Sequence, residues 1–253
     1  MVVSADGEIE WTADVRLDRL EDAQAFPAPM VADLWGDGSP EVIADVYILS
    51  GATGALQAEL TRSEDIPYSL PAIGDLDQDG VQEIVLADRC FSPDGTELWS
   101  TDIHGEKGHW SAIIDVDGDP VDEVVMIGGD VMGLYEPDGT VIREVAVPAL
   151  YPGPPCVADF DGDDAVEVAW GDETSLRVVE LDGAEVWANP ITDATGLAGC
   201  SGYDVNGDGA YEVLYADEVS FTIFDGATGD ARYTYTDHTL SLIHISEPTR
   251  RPI

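Results

Sequence analysis

Hydrophobic residues in this chain come in short runs of three to six, broken at regular intervals by clusters of Asp and Gly. The runs are rich in Val, Ile, Leu and Tyr and are too short for helices, so they read as β-strands. They group in fours. Strand A of each group is placed at Ala28–Ala32, Leu70–Gly74, Ser111–Ile114, Pro155–Ala158 and Gly199–Tyr203. Strand B is placed at Val42–Ala44, Ile84–Ala87, Val124–Ile127, Val168–Trp170 and Val213–Ala216. A turn containing Asp45, Asp88, Asp130, Asp172 or Asp217 leads to strand C, at Tyr47–Leu49, Cys90–Ser92, Gly133–Glu136, Leu176–Glu180 and Phe221–Phe224. Gly turns then close each hairpin: Gly51–Gly54, Asp94-Gly95, Asp138-Gly139, Asp182-Gly183 and Gly226–Gly229. Asp-Gly between alternating apolar runs is a strong hairpin signal. Strand D follows, ending near a tryptophan in Glu97–Trp99 and Glu185–Trp187. Val2–Trp11, with Asp6-Gly7 at its centre, matches only the C–D hairpin of a preceding group.

Between strands A and B lies an acidic nonapeptide. Asp75, Asp77, Asp79 and Glu83 stand at its positions 1, 3, 5 and 9, with Gly80 at position 6 and Val81 offering a backbone carbonyl at position 7. Further copies are Asp115, Asp117, Asp119, Val121 and Glu123; Asp159, Asp161, Asp163, Ala165 and Glu167; and Asp204, Asn206, Asp208, Ala210 and Glu212. Hard cations such as Ca²⁺ take six to eight oxygens, which alternate residues of a tight loop can supply together. Carboxylates so crowded repel one another without a cation, so about four Ca²⁺ sites are expected. A fifth copy, Asp33, Asp37 and Glu41, has Trp35 at position 3. An indole has no oxygen to give, and weak or no binding is expected there. An EF-hand is disfavoured, because the loops run into β-like sequence and position 12 of the Asp75 copy is Leu86.

The first Asp residues of the five copies are 42, 40, 44 and 45 apart. One supersecondary unit per repeat of this length, made of four antiparallel strands, describes a β-propeller blade. The expected fold is therefore all-β. Half a blade lies in residues 1–27, and five blades start near residues 28, 70, 111, 155 and 199, as an incomplete ring of a propeller with seven blades in full. Strand A is rich in small residues, as an inner strand near a crowded axis requires. The Asp-x-Asp-x-Asp-Gly-x-x-Glu loops, repeated once per blade over Val2 to Thr239, resemble those of the FG-GAP/VCBS repeats of integrin α-chain propellers and their bacterial relatives. The literal Phe-Gly and Gly-Ala-Pro signatures are absent, and Glu stands at position 9 where the family usually has Asp. The resemblance implies Ca²⁺ in the A–B loops, for rigidity rather than catalysis, and a place outside the cell or at its surface.

The chain has 253 residues, with 52 acidic against 10 basic, a formal charge of −42. The five loops hold 20 of the acidic residues, so the surface is acidic beyond the metal sites. Such a field repels phosphate backbones and anionic membranes, and neither nucleic acid nor membrane insertion is expected. Cys90, Cys156 and Cys200 form no CxxC or dense framework. They read as buried thiols, with a disulfide unsupported by any pattern. Leu240–Arg250 resembles the translation of a transposon-based sequencing adapter, and residues 240–253 are read as a non-native tail.

Chain order places the A–B loops and C–D turns on one face, leaving the D–A connections and B–C turns for a ligand. That second face is expected to carry Arg62, Tyr68, His104, Lys107, His109, Tyr151 and Asn189, with Trp110 adjoining. Aromatics beside polar groups suit a protein or glycan partner. For each alone, an ordinary loop residue is the simpler reading, with Trp110 packed between blades. His104, Glu106 and His109 fit no helical zinc motif, and the Asp of each B–C turn reads as a turn former. No phosphate loop or nucleophile elbow is present. The expected function is a calcium-stabilised, non-catalytic binding or adhesion module. The alternatives are the propeller of a carbohydrate-active enzyme such as a polysaccharide lyase, and a structural repeat array.

Overall fold

In a computed structural model, residues 1–15, 29–61, 69–103, 109–148, 151–194, 196 and 198–236 are described. They form a two-stranded hairpin and five four-stranded antiparallel sheets, each in simple sequential order. The hairpin is β1 (Val2–Val3) with β2 (Ile9–Trp11). The first blade is β3 (Met30–Ala32), β4 (Glu41–Ala44), β5 (Tyr47–Ser50) and β6 (Leu56–Glu59). The second is β7 (Ala72–Gly74), β8 (Glu83–Leu86), β9 (Arg89–Phe91) and β10 (Glu97–Ser100). The third is β11 (His109–Ile114), β12 (Glu123–Gly128), β13 (Val131–Tyr135) and β14 (Val141–Ala146). The fourth is β15 (Cys156–Ala158), β16 (Glu167–Gly171), β17 (Ser175–Glu180) and β18 (Glu185–Pro190). The fifth is β19 (Cys200–Tyr203), β20 (Glu212–Ala216), β21 (Phe221–Phe224) and β22 (Ala231–Tyr235). Every four-stranded unit expected from the apolar runs is therefore present.

Burial follows strand order within the blade. Strand B is buried throughout in β8, β12 and β16, whereas strand D is mostly exposed in β10, β14 and β22. Successive side chains of a strand point to opposite faces, so β8, β12 and β16 each feed two cores at once. Ile84 and Leu86 pack with Ile43 and Ile48 of the first blade, while Val85 packs with Val124 and Met126 of the third. Val125 and Ile127 in turn join Val168 and Trp170, and Ala169 joins Val213 and Tyr215. Four interblade cores thus bind five sheets, and the second, third and fourth are buried on both faces because a neighbour covers each face.

The A strands line up side by side: β7 touches β11, β11 touches β15, and β15 touches β19. Small residues are needed there, since a methyl group on Gly74 would lie 3.1 Å from the Ile113 side chain. This crowding also joins Cys156 of β15 to Cys200 of β19 in a disulfide, with Cα atoms 5.5 Å apart. The expectation of free thiols is corrected for this pair and holds for Cys90, which is buried. Burial pushes the Cys90 thiol pKa up to about 12, so it is inert to mild oxidants and alkylating agents.

Candidate metal centres in the A–B loops

Each nonapeptide leaves an inner strand and returns as the buried strand B, so its last residue, Glu, is drawn into the interior. Glu41, Glu83, Glu123, Glu167 and Glu212 are all buried. In every loop one oxygen of this Glu accepts the backbone N–H of position 2. The donors are Leu34 at 3.1 Å, Leu76 at 2.9 Å, Val116 at 2.9 Å, Phe160 at 2.6 Å and Val205 at 2.8 Å. Position 9 therefore clamps the loop shut as well as offering an oxygen to a cation. Sequence reasoning missed this first role. Its signal was present: Glu41 persists in the copy whose metal set Trp35 interrupts.

Position 5 plays a second repeated part. Asp37, Asp79, Asp119, Asp163 and Asp208 each accept the N–H of position 7, at 2.7–3.0 Å. Position 1 gathers the N–H groups of the turn. Asp159, for example, binds Gly162 at 2.6 Å through one oxygen and Asp164 at 3.0 Å through the other. The backbone is left-handed at positions 4 and 6 of this loop, at Gly162 with φ 81° and Asp164 with φ 69°. Left-handed backbone crowds any Cβ, and glycine avoids the strain. Asp164→Gly, which keeps the backbone N–H bonded to Asp159 and removes one negative charge, is expected to stabilise the metal-free protein by about 1 kcal/mol. A thermal melt in chelator checks it, and a lowered melting temperature would count against the strain argument.

Three of the five loops gather carboxylates. Asp159, Asp161, Asp163 and Glu167 place ligand oxygens within 4.8 Å of one another, as do Asp75, Asp77 and Glu83, and Asp115, Asp117 and Glu123. Asp79 and Asp119 stand outside these groups, as do Asp204, Asp208 and Glu212 and the loop of Asp33, Asp37 and Glu41. The gathered oxygens fit a cation on a second ground. Asp75 Oδ1, Asp161 Oδ1 and Glu167 Oε1 are buried and have no hydrogen-bond donor, an arrangement that is unfavourable unless something positive supplies the missing partner. In the fifth loop the equivalent oxygen is satisfied from within, because the Asn206 amide donates to Glu212 Oε1 at 2.6 Å.

Protonation responds to the same crowding. Burial first, and then the neighbouring loop aspartates, raise the carboxyl pKa of Glu83 and Glu123 above the usual range. Burial, with Asp161 adding to it, lifts Glu167 to about 7. Asp161 is raised by burial, then by Asp163 and Asp159. A cation in the loop would reverse this by favouring the charged forms.

On the opposite face the B–C turns behave as turn formers. Asp172 Oδ1 accepts the N–H groups of Thr174 and Ser175, and Asp217 Oδ1 those of Val219 and Ser220. His109 and Trp110, placed on that face from sequence, are buried at 2% and 5% exposure. Trp110 belongs to the core between the third and fourth blades and donates its Nε1–H to Pro152 O at 2.5 Å. Both begin β11, which runs further back toward this face than the sequence indicated, and so they enter the sheet. Tyr151 is half-buried. Asn189 donates to Gly229 O at 2.6 Å and holds two blades together. Arg62, Tyr68, His104, Lys107 and the 240–253 tail lie outside the described residues.

No protein-family profile and no curated protein matches the chain. Solved structures do. The chain is similar to the V. cholerae biofilm matrix protein Bap1, at 14% identity and TM-score 0.68 over 83% of this chain and 61% of that one. It is also similar to BamB from Moraxella catarrhalis, at 11% identity and TM-score 0.53 over 85% of this chain and 65% of that one. BBS1N in complex with ARL6DN gives 12% identity and TM-score 0.52 over 83% of this chain and 80% of that one. At these identities the likeness is one of fold, and the fold is a β-propeller. The chain spans under two thirds of the length of the Bap1 and BamB chains. No helix among the described residues is long and apolar enough to cross a membrane.

Proposed function

We propose that this chain is a calcium-stabilised segment of a propeller of FG-GAP/VCBS type, acting outside the cytoplasm as a non-catalytic module that binds a protein or glycan. The observation that carries the calcium reading is the fourth-blade loop. There four carboxylates converge and two buried oxygens, Asp161 Oδ1 and Glu167 Oε1, lack donors. Asp159, Asp161, Asp163 and Glu167 would hold the ion there, with the backbone carbonyl of Ala165. The second and third loops would use Asp75, Asp77, Asp79, Val81 and Glu83, and Asp115, Asp117, Asp119, Val121 and Glu123. The fifth would use Asp204, Asn206, Asp208, Ala210 and Glu212, at lower affinity because Asn206 already satisfies Glu212. The bound ion supplies charge neutralisation only. The loops it stiffens are joined across blades, since Gln82 N–H donates to Leu34 O at 2.8 Å and Tyr211 N–H to Asp159 O at 2.9 Å. Calcium would therefore hold the blades in register.

The Cys156–Cys200 disulfide supports an oxidising compartment, where such bonds persist. The fold shared with a biofilm matrix protein is compatible with a matrix or surface role. A complete ring of seven blades would present the D–A connections of the opposite face as preorganised loops.

Calcium calorimetry and thermal melts on residues 1–239 test the proposal. Three or four sites are expected, with a melting temperature that rises with Ca²⁺ and falls on chelation. Each site held at about 100 times its Kd adds about 2.7 kcal/mol. Asp161→Ala should remove one site and leave the rest. A melt indifferent to both Ca²⁺ and chelator would reduce the loops to acidic turns.

A further inference from the structure

The first loop has a use that its lost metal set does not explain. Its backbone is held as in the other copies: Asp33 takes the N–H of Asp37 at 3.0 Å and of Gly38 at 2.8 Å through its two oxygens, and Glu41 takes that of Leu34. The residue that breaks the set, Trp35, stands at the loop tip and is 44% exposed. The chain has six tryptophans. The other five are buried or half-buried, and Trp35 is the most exposed of the six. It stands on the wall of a cavity of about 660 Å³. The A–B loop lines one side with Trp35, Asp37 and Ser39, the end of β5 contributes Ser50, the C–D turn Gly51, and β6 Gln57. Gly51 N–H bonds to Pro40 O at 3.0 Å and ties loop to turn, so the walls are held together.

We propose that this cavity binds a neutral saccharide. An exposed indole face is apolar and electron-rich, and it stacks against the C–H face of a pyranose ring. Two carboxylates, Asp37 and Glu41, with an amide and two hydroxyls on the same walls supply the acceptors and donors that sugar hydroxyls need. The volume suits one or two sugar rings. Sign of charge selects among saccharides: Asp37, beside the Asp33 carboxylate on a chain of formal charge −42, repels uronates and sulfated sugars. The site lies on the face of the A–B loops, away from the D–A connections. It does not depend on the calcium reading, because Trp35 occupies position 3 of this loop, where a cation would need a side-chain oxygen.

The test uses residues 1–239 in calcium, with two- to four-unit oligosaccharides of glucose, galactose, mannose and N-acetylglucosamine as probes and oligogalacturonate as the acidic control. Binding is read by saturation-transfer NMR and titration calorimetry. At least one neutral series should bind, with the acidic control weaker. Trp35→Ala should weaken binding by about tenfold or more, and Gln57→Ala by severalfold. Both variants should keep the wild-type melting temperature and calcium titration, since neither side chain lies in a core. If no neutral probe binds to protein with an intact calcium-dependent melt, or if Trp35→Ala binds as the parent does, the proposal is overturned. A melt indifferent to calcium with sugar binding intact would instead overturn the metal reading and leave this one standing.

Discussion

Replacing Trp187 with alanine is expected to destabilise the protein by about 3–5 kcal/mol, the range for removing a large buried aromatic. Trp187 sits on the outer strand of the fourth blade but reaches across to the fifth. Its Nε1–H donates to Gly226 O at 2.5 Å, and its ring centroid lies 5.9 Å from that of Phe224. The C–D turn of the fifth blade is shaped around it: a Cβ on Gly229 would meet the indole at 2.8 Å. The same latch recurs two blades back, where Trp99 donates to Pro137 O at 2.8 Å and a Cβ on Gly139 would meet its indole at 2.7 Å. It recurs again where Trp11 of the hairpin donates to Gly51 O at 2.8 Å. In the alternate blades smaller residues, Ala58 and Val145, stand under Gly95 and Gly183. Trp187→Phe should lose less, about 1–2 kcal/mol, because the ring stays but the Gly226 carbonyl loses its donor. Gly229→Ala should also destabilise, through both the indole and its φ of 73°. Denaturant unfolding measures all three. A loss below about 1 kcal/mol for Trp187→Ala would mean that the outer rim contributes little to blade docking.

The second large effect is on the disulfide. Reducing Cys156–Cys200, or replacing both with serine, should lower stability by about 4 kcal/mol, the chain-entropy value for a loop of this size; the two cysteines are 44 residues apart. The bond joins the inner strands of neighbouring blades, so it restrains the unfolded chain where interblade contacts must form. Against a typical total of about 5–15 kcal/mol for a domain, either change is severe. Cys90→Ser is the control that leaves the bridge intact. Thiol counting checks the pairing itself. Folded protein should show no reactive thiol and unfolded, unreduced protein one. Three thiols in the unfolded, unreduced chain would refute the bridge.

The sequence by itself determined the strands, the turns and the repeat. Alternation of apolar and polar residues, Asp-Gly turns and the acidic nonapeptide are local signals, and each acts within about ten residues of chain. It also determined that Trp35 breaks one loop's ligand set. Only the tertiary structure decided what crosses from blade to blade. Cys156 and Cys200 hold different places relative to Asp159 and Asp204, so the repeat gave no hint of their pairing; strand adjacency brings them together. Trp110 read as packed between blades, with ligand contact as the alternative, and the structure showed which core it enters, the one between the third and fourth blades. Glu at position 9 read as a cation ligand, and its clamp on the position-2 N–H became visible only with the loop folded. The carboxylates at positions 1, 3, 5 and 9 of the second, third and fourth copies looked equivalent, yet the fourth blade brings all four together and the second and third only three each. The physical reason is common to these cases. Blade contacts pair residues about 40 positions apart, and sheet-on-sheet packing, rather than local propensity, selects which side chains meet.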